Sequence, residues 1–353
     1  MKYFLNEIER KKFVSLFDQH EKNIGYLHTL SSIVWQNNGF DLAIFQDKNT
    51  FEKRTIFADN LINKYQIQDG FANKSIRWDT NLIDIREYLV NPYIEALKNV
   101  SFDEADWKLS HIVMNAYTLF PYEEEYHFGG DAIIKMNLGF FDQDYSYPTI
   151  SLCDNEWMSL NPFEIRTMQI PVQLAKGKVL TLGLGLGYFA YMAHLKEEVK
   201  EVHIVEMDID LIKNFNKYLL PLFPHPEKIH IHKADAFFFN ETIKDKYYDF
   251  IFSDLWHDVS DGLSMYLKLQ KHFDGFKSTK CTYWIEGSIV TYLRTLVIGV
   301  LKDEFYHQDG DYSELQLFIK NKLENKSVSN TYDLDELLSI KGLKELMLNS
   351  NLL

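Results

Sequence analysis

The chain has 353 residues, room for two domains or one large one, and an ordinary globular composition of 46% apolar and 25% charged residues. Lys and Arg number 37 against 51 Asp and Glu, and the net charge of −14 repels phosphate backbones, which makes duplex nucleic acid a poor main partner. The two cysteines, Cys153 and Cys281, exclude a disulfide framework and a Cys-rich zinc pattern, and they fit a reducing, cytoplasmic setting.

The opening residues, MKYFLNEIERKKF, are charged within a few positions and do not read as a secretory signal. Leu5, Ile8, Phe13, Leu16, Phe17, Ile24, Leu27 and Val34 recur at three- and four-residue spacing. That spacing predicts helix over 1–36, ended by Asn37-Asn38-Gly39. Further helices are predicted near 56–66, 80–98 and 102–120, the last opened by a capping box of Ser101 and Glu104. Residues 1–128 therefore read as a helical N-terminal domain, suited to shaping a substrate site or a homo-oligomer interface. The texture changes at Gly129-Gly130, where AIIKMNLGFF and then YPTISLC read as short strands. With a helix over about 161–174 they make 129–177 a β-rich leader and connecting helix.

From 178 to 353, β-rich and helical runs alternate. Strands are predicted at 178–183, 201–206, 228–234, 248–254 and 281–287, with helices near 187–197, 208–219 and 261–273 and a further strand, SELQLFI, at 313–319. Buried strands alternating with helices imply an α/β, doubly wound, mostly parallel sheet covered on both faces. The most apolar run, Val179 to Leu195, contains Gly183, Gly185 and Gly187, so it reads as strand, turn and helix rather than a membrane span.

In such a sheet the chemistry gathers at the strand C-termini. Gly183, Gly185 and Gly187 stand where the first strand passes into a helix, and glycines there permit a tight turn and a close ligand approach. Glu206 ends the next strand, 23 residues after Gly183, where a carboxylate can accept from both hydroxyls of a ribose. Asp235, with Ala236 beside it, follows the third strand and suits the edge of an adenine. Asp254 ends the fourth strand over the same crevice. Each acid alone is explained by a helix cap or a solvated loop. Three acids ending three successive strands beside one glycine turn are harder to reach by accident.

VLTLGLGLGYFA, followed by VEMD, ADAF and YDFIFSD, resembles the class I S-adenosylmethionine-dependent methyltransferases over roughly residues 160–300. The resemblance implies a Rossmann-like sheet with S-adenosylmethionine as cofactor. Gly183, Gly185 and Gly187 would line its methionine part, Glu206 would hold the ribose, and Asp235 with Ala236 the adenine. Thr181 stands where the family often has an acid. In layout the chain is most similar to the spermidine synthase-like branch, through Glu164-Ile-Arg-Thr-Met-Gln-Ile-Pro171 ahead of the glycine strand. In that branch the Asp254 position carries the general base. The branch also has an aspartate inside its glycine turn. Leu186 here removes that preference for a decarboxylated cofactor, and the stretch Asp154 to Met158 matches the branch's acidic and tyrosine signature poorly.

The resemblance thus implies methyl transfer to a small molecule or a protein side chain, with Asp254 as base or as the group that orients substrate. The alternatives are aminopropyl transfer from decarboxylated S-adenosylmethionine and a non-catalytic scaffold. A dinucleotide dehydrogenase fits less well, because the turn lacks the G-x-G-x-x-G spacing. No Asn-Pro-Pro-Tyr motif follows the fourth strand, which argues against DNA-base methylation. In the Trp256-His257-Asp258 loop, His257 is a candidate base and Trp256 a surface for a flat substrate. Glu286 could reach the crevice. Tyr188 and Phe189 could cover the cofactor or pack in the core. Tyr122-Glu123-Glu124-Glu125-Tyr126-His127 could meet a cation, though a solvated charge run explains it as well. His230 and His232 share one face of a strand, but zinc would need more ligands, so no metal is expected.

Overall fold

The computed structural model describes residues 1–123 and 136–348. A two-residue strand β1 (Lys2–Tyr3) precedes α1 (Glu7–Ile33), whose N-terminus is capped by the Asn6 side chain. Then come α2 (Thr50–Lys64), opened by a capping box of Asn49 and Glu52, and α3 (Gly70–Asp79). Strand β2 (Thr80–Leu82), α4 (Arg86–Leu89) and α5 (Pro92–Leu97) replace the single helix expected over 80–98. Pro92 explains the break, because proline fits a first helical turn and not an interior.

The helix expected over 102–120 is absent: the chain forms β3 (Phe102–Glu104), β4 (Trp107–Met114) and β5 (Phe120–Pro121). Trp107 and Leu109 are buried on either side of exposed Lys108, a two-residue period that the apolar content of the stretch masked. Ser101 and Glu104 do not form a capping box. Glu104 ends β3 and accepts hydrogen bonds from Lys217 and Tyr218. Next come β6 (Leu138–Phe140), β7 (Tyr145–Leu152) and β8 (Asn155–Ser159), and β3-β4-β7-β8 form one antiparallel sheet. The connecting helix is split into α6 (Pro162–Thr167) and α7 (Gln169–Leu174).

The alternating part follows: β9 (Gly177–Leu182), α8 (Tyr188–His194), β10 (Val199–Glu206), α9 (Ile209–Asn214), β11 (Ile229–Lys233), α10 (Ala236–Asn240), β12 (Phe250–Ser253), α11 (Val259–Phe273) and β13 (Lys280–Tyr283). The five strands make one wholly parallel sheet in the order β11-β10-β9-β12-β13. Its central strands bury Val179, Leu180, Leu182, Val202, Ile204, Val205, Phe250, Ile251 and Phe252, as a sheet covered on both faces requires. β13 stops at Tyr283, so Glu286 opens α12 (Glu286–Tyr306) instead of ending a strand. Residues 313–319 are also helical, within α13 (Glu314–Leu323), where Ser313 and Gln316 form a capping box that outweighs the alternating apolar pattern. Strand β14 (Ser327–Val328) pairs with β1, and α14 (Thr331–Leu338) and α15 (Ile340–Leu348) close the chain.

One hydrophobic core joins the parallel sheet, the antiparallel sheet, the C-terminal helices and the start of α1, where Phe13 and Phe17 pack on Phe305. A second, smaller core lies between the end of α1, α2, α3, Tyr117, Leu119, Leu138 and Phe140. No helix among the described residues is long and apolar enough to cross a membrane.

Candidate functional site

The chain lays down β9, β10 and β11 in one direction and then returns to the far side of β9 for β12 and β13. Loops leaving β9 and β12 therefore part in opposite directions and open a crevice at the strand C-termini. A cavity of about 550 Å3 occupies that crevice, within the range for a small-molecule ligand. Gly183, Gly185, Glu206, Asp235, Ala236 and Asp254 all line it. Gly187 does not.

The glycines do three different jobs. Gly183 has φ +98°, and a Cβ there would fall 2.0 Å from the Asp254 carbonyl oxygen, so β9 and β12 can meet only because the side chain is missing. Gly185, at φ +49°, lies under Met158, whose sulfur would be 2.5 Å from an added Cβ. Gly187 caps α8 at φ +76° and packs on the Phe215 ring, so its need for a bare backbone is met by the core. Leu186 is fully buried and its N–H donates to the Met158 sulfur at 3.3 Å. Its side chain leaves the cavity alone and so opens no space there for a cofactor carboxylate.

Glu206 accepts from the N–H groups of Met207 at 2.7 Å, Asp208 at 2.8 Å and Leu184 at 3.3 Å. A carboxylate offers about four acceptor positions, so one remains for a ribose hydroxyl. Burial raises its pKa, and the three N–H groups work against that rise. Asp235 caps α10 through one oxygen, accepting from Phe237 N–H at 2.7 Å, and its other oxygen makes no hydrogen bond among the described residues. Asp254 makes no side-chain hydrogen bond among the described residues, and burial pushes its pKa up to about 7.

The first turn of α6 brings a further acid, Glu164, to the same cavity. Burial, and then the neighbouring Asp254 charge, holds its pKa well above the usual carboxylate range. In the sequence Glu164 stands out only as the start of the stretch leading to Pro171; its place at the cavity follows from the position of α6, which no local spacing specifies.

Several aromatic side chains also line the cavity. Trp107 comes from β4, Trp157 and Met158 from β8, Trp256 and His257 from the loop after β12, and Trp284 from the end of β13. Trp157 meets Trp107 edge-on at 5.6 Å and His257 edge-on at 4.6 Å. His257 is itself hydrogen-bonded to Asp261 at 3.1 Å, and Trp256 lies against Gly262, where a Cβ would fall 2.8 Å from its ring. Trp284 is fixed by its indole N–H, which donates to Thr167 Oγ1 at 2.9 Å.

Other candidates lie elsewhere. Glu286 accepts from Tyr266 and Lys344 and does not line the cavity. Tyr188 and Phe189 are core residues: the Tyr188 hydroxyl accepts from Asn91 at 2.8 Å and Phe189 packs on Phe252. Tyr122 stacks under Arg166, which pairs with Glu123; residues 124–127 of that acidic–aromatic run, like Gly129-Gly130, lie outside the described residues.

No protein-family model matches the chain, and no curated protein matches it. Among solved structures, spermidine synthase from Thermotoga maritima is similar at 14% identity over 43% of this chain and 58% of that one, with a TM-score of 0.31. A dimethyladenosine transferase from Plasmodium falciparum is similar at 20% identity over 30% of this chain and 36% of that one, with a TM-score of 0.23. The chain thus spans well under two thirds of either structure, and likeness at this level carries no argument about activity. The functional reading rests on the cavity.

Proposed function

We propose that the cavity binds S-adenosylmethionine and that the protein, a Rossmann-like transferase, moves its methyl group to a nucleophile on a small molecule or a protein side chain. The observation that carries this reading is the convergence of Glu206, Asp235 and Asp254, from the ends of three strands of one parallel sheet, on a cavity floored by Gly183 and Gly185. The residues fit the group: one acceptor position on Glu206 remains for a ribose hydroxyl, and the second Asp235 oxygen remains for an adenine amine.

When bound, the cofactor would supply an electrophilic methyl on a sulfonium. The chain's own part is to hold the acceptor in line and to take its proton. Asp254 suits that task, because a carboxyl whose pKa is about 7 accepts a proton near neutral pH. The aromatic wall excludes water and offers faces for a flat or cationic acceptor.

A second reading, aminopropyl transfer from the decarboxylated cofactor, is favoured by the neighbouring Glu164 and Asp254 carboxyls, which together could accept the hydrogen bonds and the proton of an amine acceptor. Against it, the turn from Gly183 to Gly187 has no acidic side chain to prefer the bare amine of that cofactor. Incubation with each cofactor and a panel of amines separates the readings. Methyl transfer yields S-adenosylhomocysteine, aminopropyl transfer yields methylthioadenosine, and neither product from any acceptor would contradict both.

A further inference from the structure

The parallel pairing of β10 and β11 sets His203 directly opposite His230 and Val205 opposite His232. Side chains two apart on a strand share a face, so Glu201, His203, His230 and His232 gather on one face of the sheet at its β11 edge. None of them lines the cavity. We propose that Glu201, His203 and His230 form a binding site for a divalent transition metal, with Zn2+ the best-suited ion.

The geometry carries the proposal. One donor atom from each of the three residues lies within 4.8 Å of the others. His203 Nε2 is 3.4 Å from Glu201 Oε2, and His230 Nε2 is 3.7 Å from the same oxygen. Bonds of about 2.05 Å to a tetrahedral ion hold ligand atoms roughly 3.3 Å apart, so two of the three edges already have nearly the required length. Two imidazoles and a carboxylate, with water in a fourth position on the half-exposed His230 side, are an ordinary zinc donor set.

The surroundings support the same arrangement. His203 Nδ1 lies 2.7 Å from His232 Nε2. If His203 donates there, its Nε2 lone pair turns toward Glu201, which is how a second-shell partner orients a metal-bound histidine. That Nε2 is buried and makes no hydrogen bond of acceptable geometry. Lys178 takes the other oxygen of Glu201 at 3.2 Å and leaves Oε2 for the ion.

The ion would tie the start of the edge strand β11 to β10, on the strands that lead to Asp235 and Glu206. This inference does not depend on the proposed activity.

The test is titration of the EDTA-treated full-length protein with Zn2+ by calorimetry, and with Co2+ followed by visible absorption, at neutral pH. One ion per chain is expected, with the intense bands of a four-coordinate Co2+ site. His230→Ala, a change at a half-exposed position, should weaken binding at least tenfold, and so should Glu201→Gln. His232→Gln should weaken it by about tenfold through the lost orienting partner, while His28→Ala, on α1, should leave it unchanged. No saturable binding by the unaltered protein, or binding that neither His230→Ala nor Glu201→Gln weakens, would overturn the site.

Discussion

The cavity draws its lining from two sheets, and the two contributions are built in opposite ways. The wall at the ends of β9, β10, β11 and β12 is made of glycines and acids, each placed where a strand of the parallel sheet stops. The wall from β4 and β8 is made of rings, held there by an antiparallel sheet formed earlier in the chain. The first wall follows from the sheet topology itself, because a parallel sheet brings every strand C-terminus to one edge. The second depends on how one sheet seats against another. On the proposed reading they would do different work: the strand ends would fix the cofactor and the proton transfer, and the rings would select the acceptor.

The largest expected effect tests the strand-end wall. Asp254→Asn should lower turnover by about 10^2- to 10^4-fold, the usual contribution of a general base, with cofactor affinity changed by less than about threefold. An affinity loss that accounts for the whole effect would remove Asp254 from the proton transfer. In the unaltered protein, turnover should rise as pH increases through about 7, because the base works only when ionised. A flat profile from pH 5.5 to 8.5 would contradict that role.

Gly183→Ala tests the same wall through the backbone. It places a methyl group 2.0 Å from the Asp254 carbonyl oxygen at a φ of +98°. Clash and strain together should cost about 3 kcal/mol in urea unfolding. Gly187→Ala meets the end of the Phe215 ring and should cost less, about 1–2 kcal/mol. A larger cost at Gly187 would reverse the assignment of roles along the turn.

The aromatic wall should respond differently. Trp157 is 42% exposed and meets Trp107 and His257 edge-on. Trp157→Ala should raise the KM for the acceptor about tenfold, worth roughly 1.4 kcal/mol, and leave cofactor affinity and stability nearly unchanged. Loss of cofactor affinity instead would mean that the rings hold the nucleoside.

The smallest effect concerns stability. Asp254 has an ordinary pKa of 3.8 and a folded value of about 7. Between those values the folded chain keeps a proton that the unfolded chain has released, so stability falls as pH rises through that window and levels off above it. Asp254→Asn removes the buried charge and should raise the melting temperature at pH 8 by a few degrees, on the order of 1 kcal/mol. A lower melting temperature at pH 8 would mean that the carboxylate is stabilised by its surroundings.

The same contrast explains what the sequence made legible. Gly183, Gly185, Glu206, Asp235, Ala236 and Asp254 were readable because each follows a short apolar run at a spacing set by one strand and one helix. All six line the cavity. Gly187 followed from the same local pattern and lies outside it, because nothing local distinguishes a glycine that lines the cavity from one that packs on Phe215. Trp107 was hidden by reading β4 as helix, and Glu164, Trp157 and Met158 by the lack of any local rule for how α6 and β8 approach the glycine turn. The strand predicted over 313–319 failed for a different reason: alternation over a few residues is weaker than the capping box at Ser313.

The central claim is that the cavity is a nucleoside site, and calorimetric titration with S-adenosylmethionine and S-adenosylhomocysteine tests it most directly. The account predicts one site per chain with micromolar or tighter affinity for both, weakened about tenfold by Asp235→Ala as its hydrogen bond to the adenine is lost. No binding of either ligand by the folded protein, or binding that Asp235→Ala leaves unchanged, would contradict it.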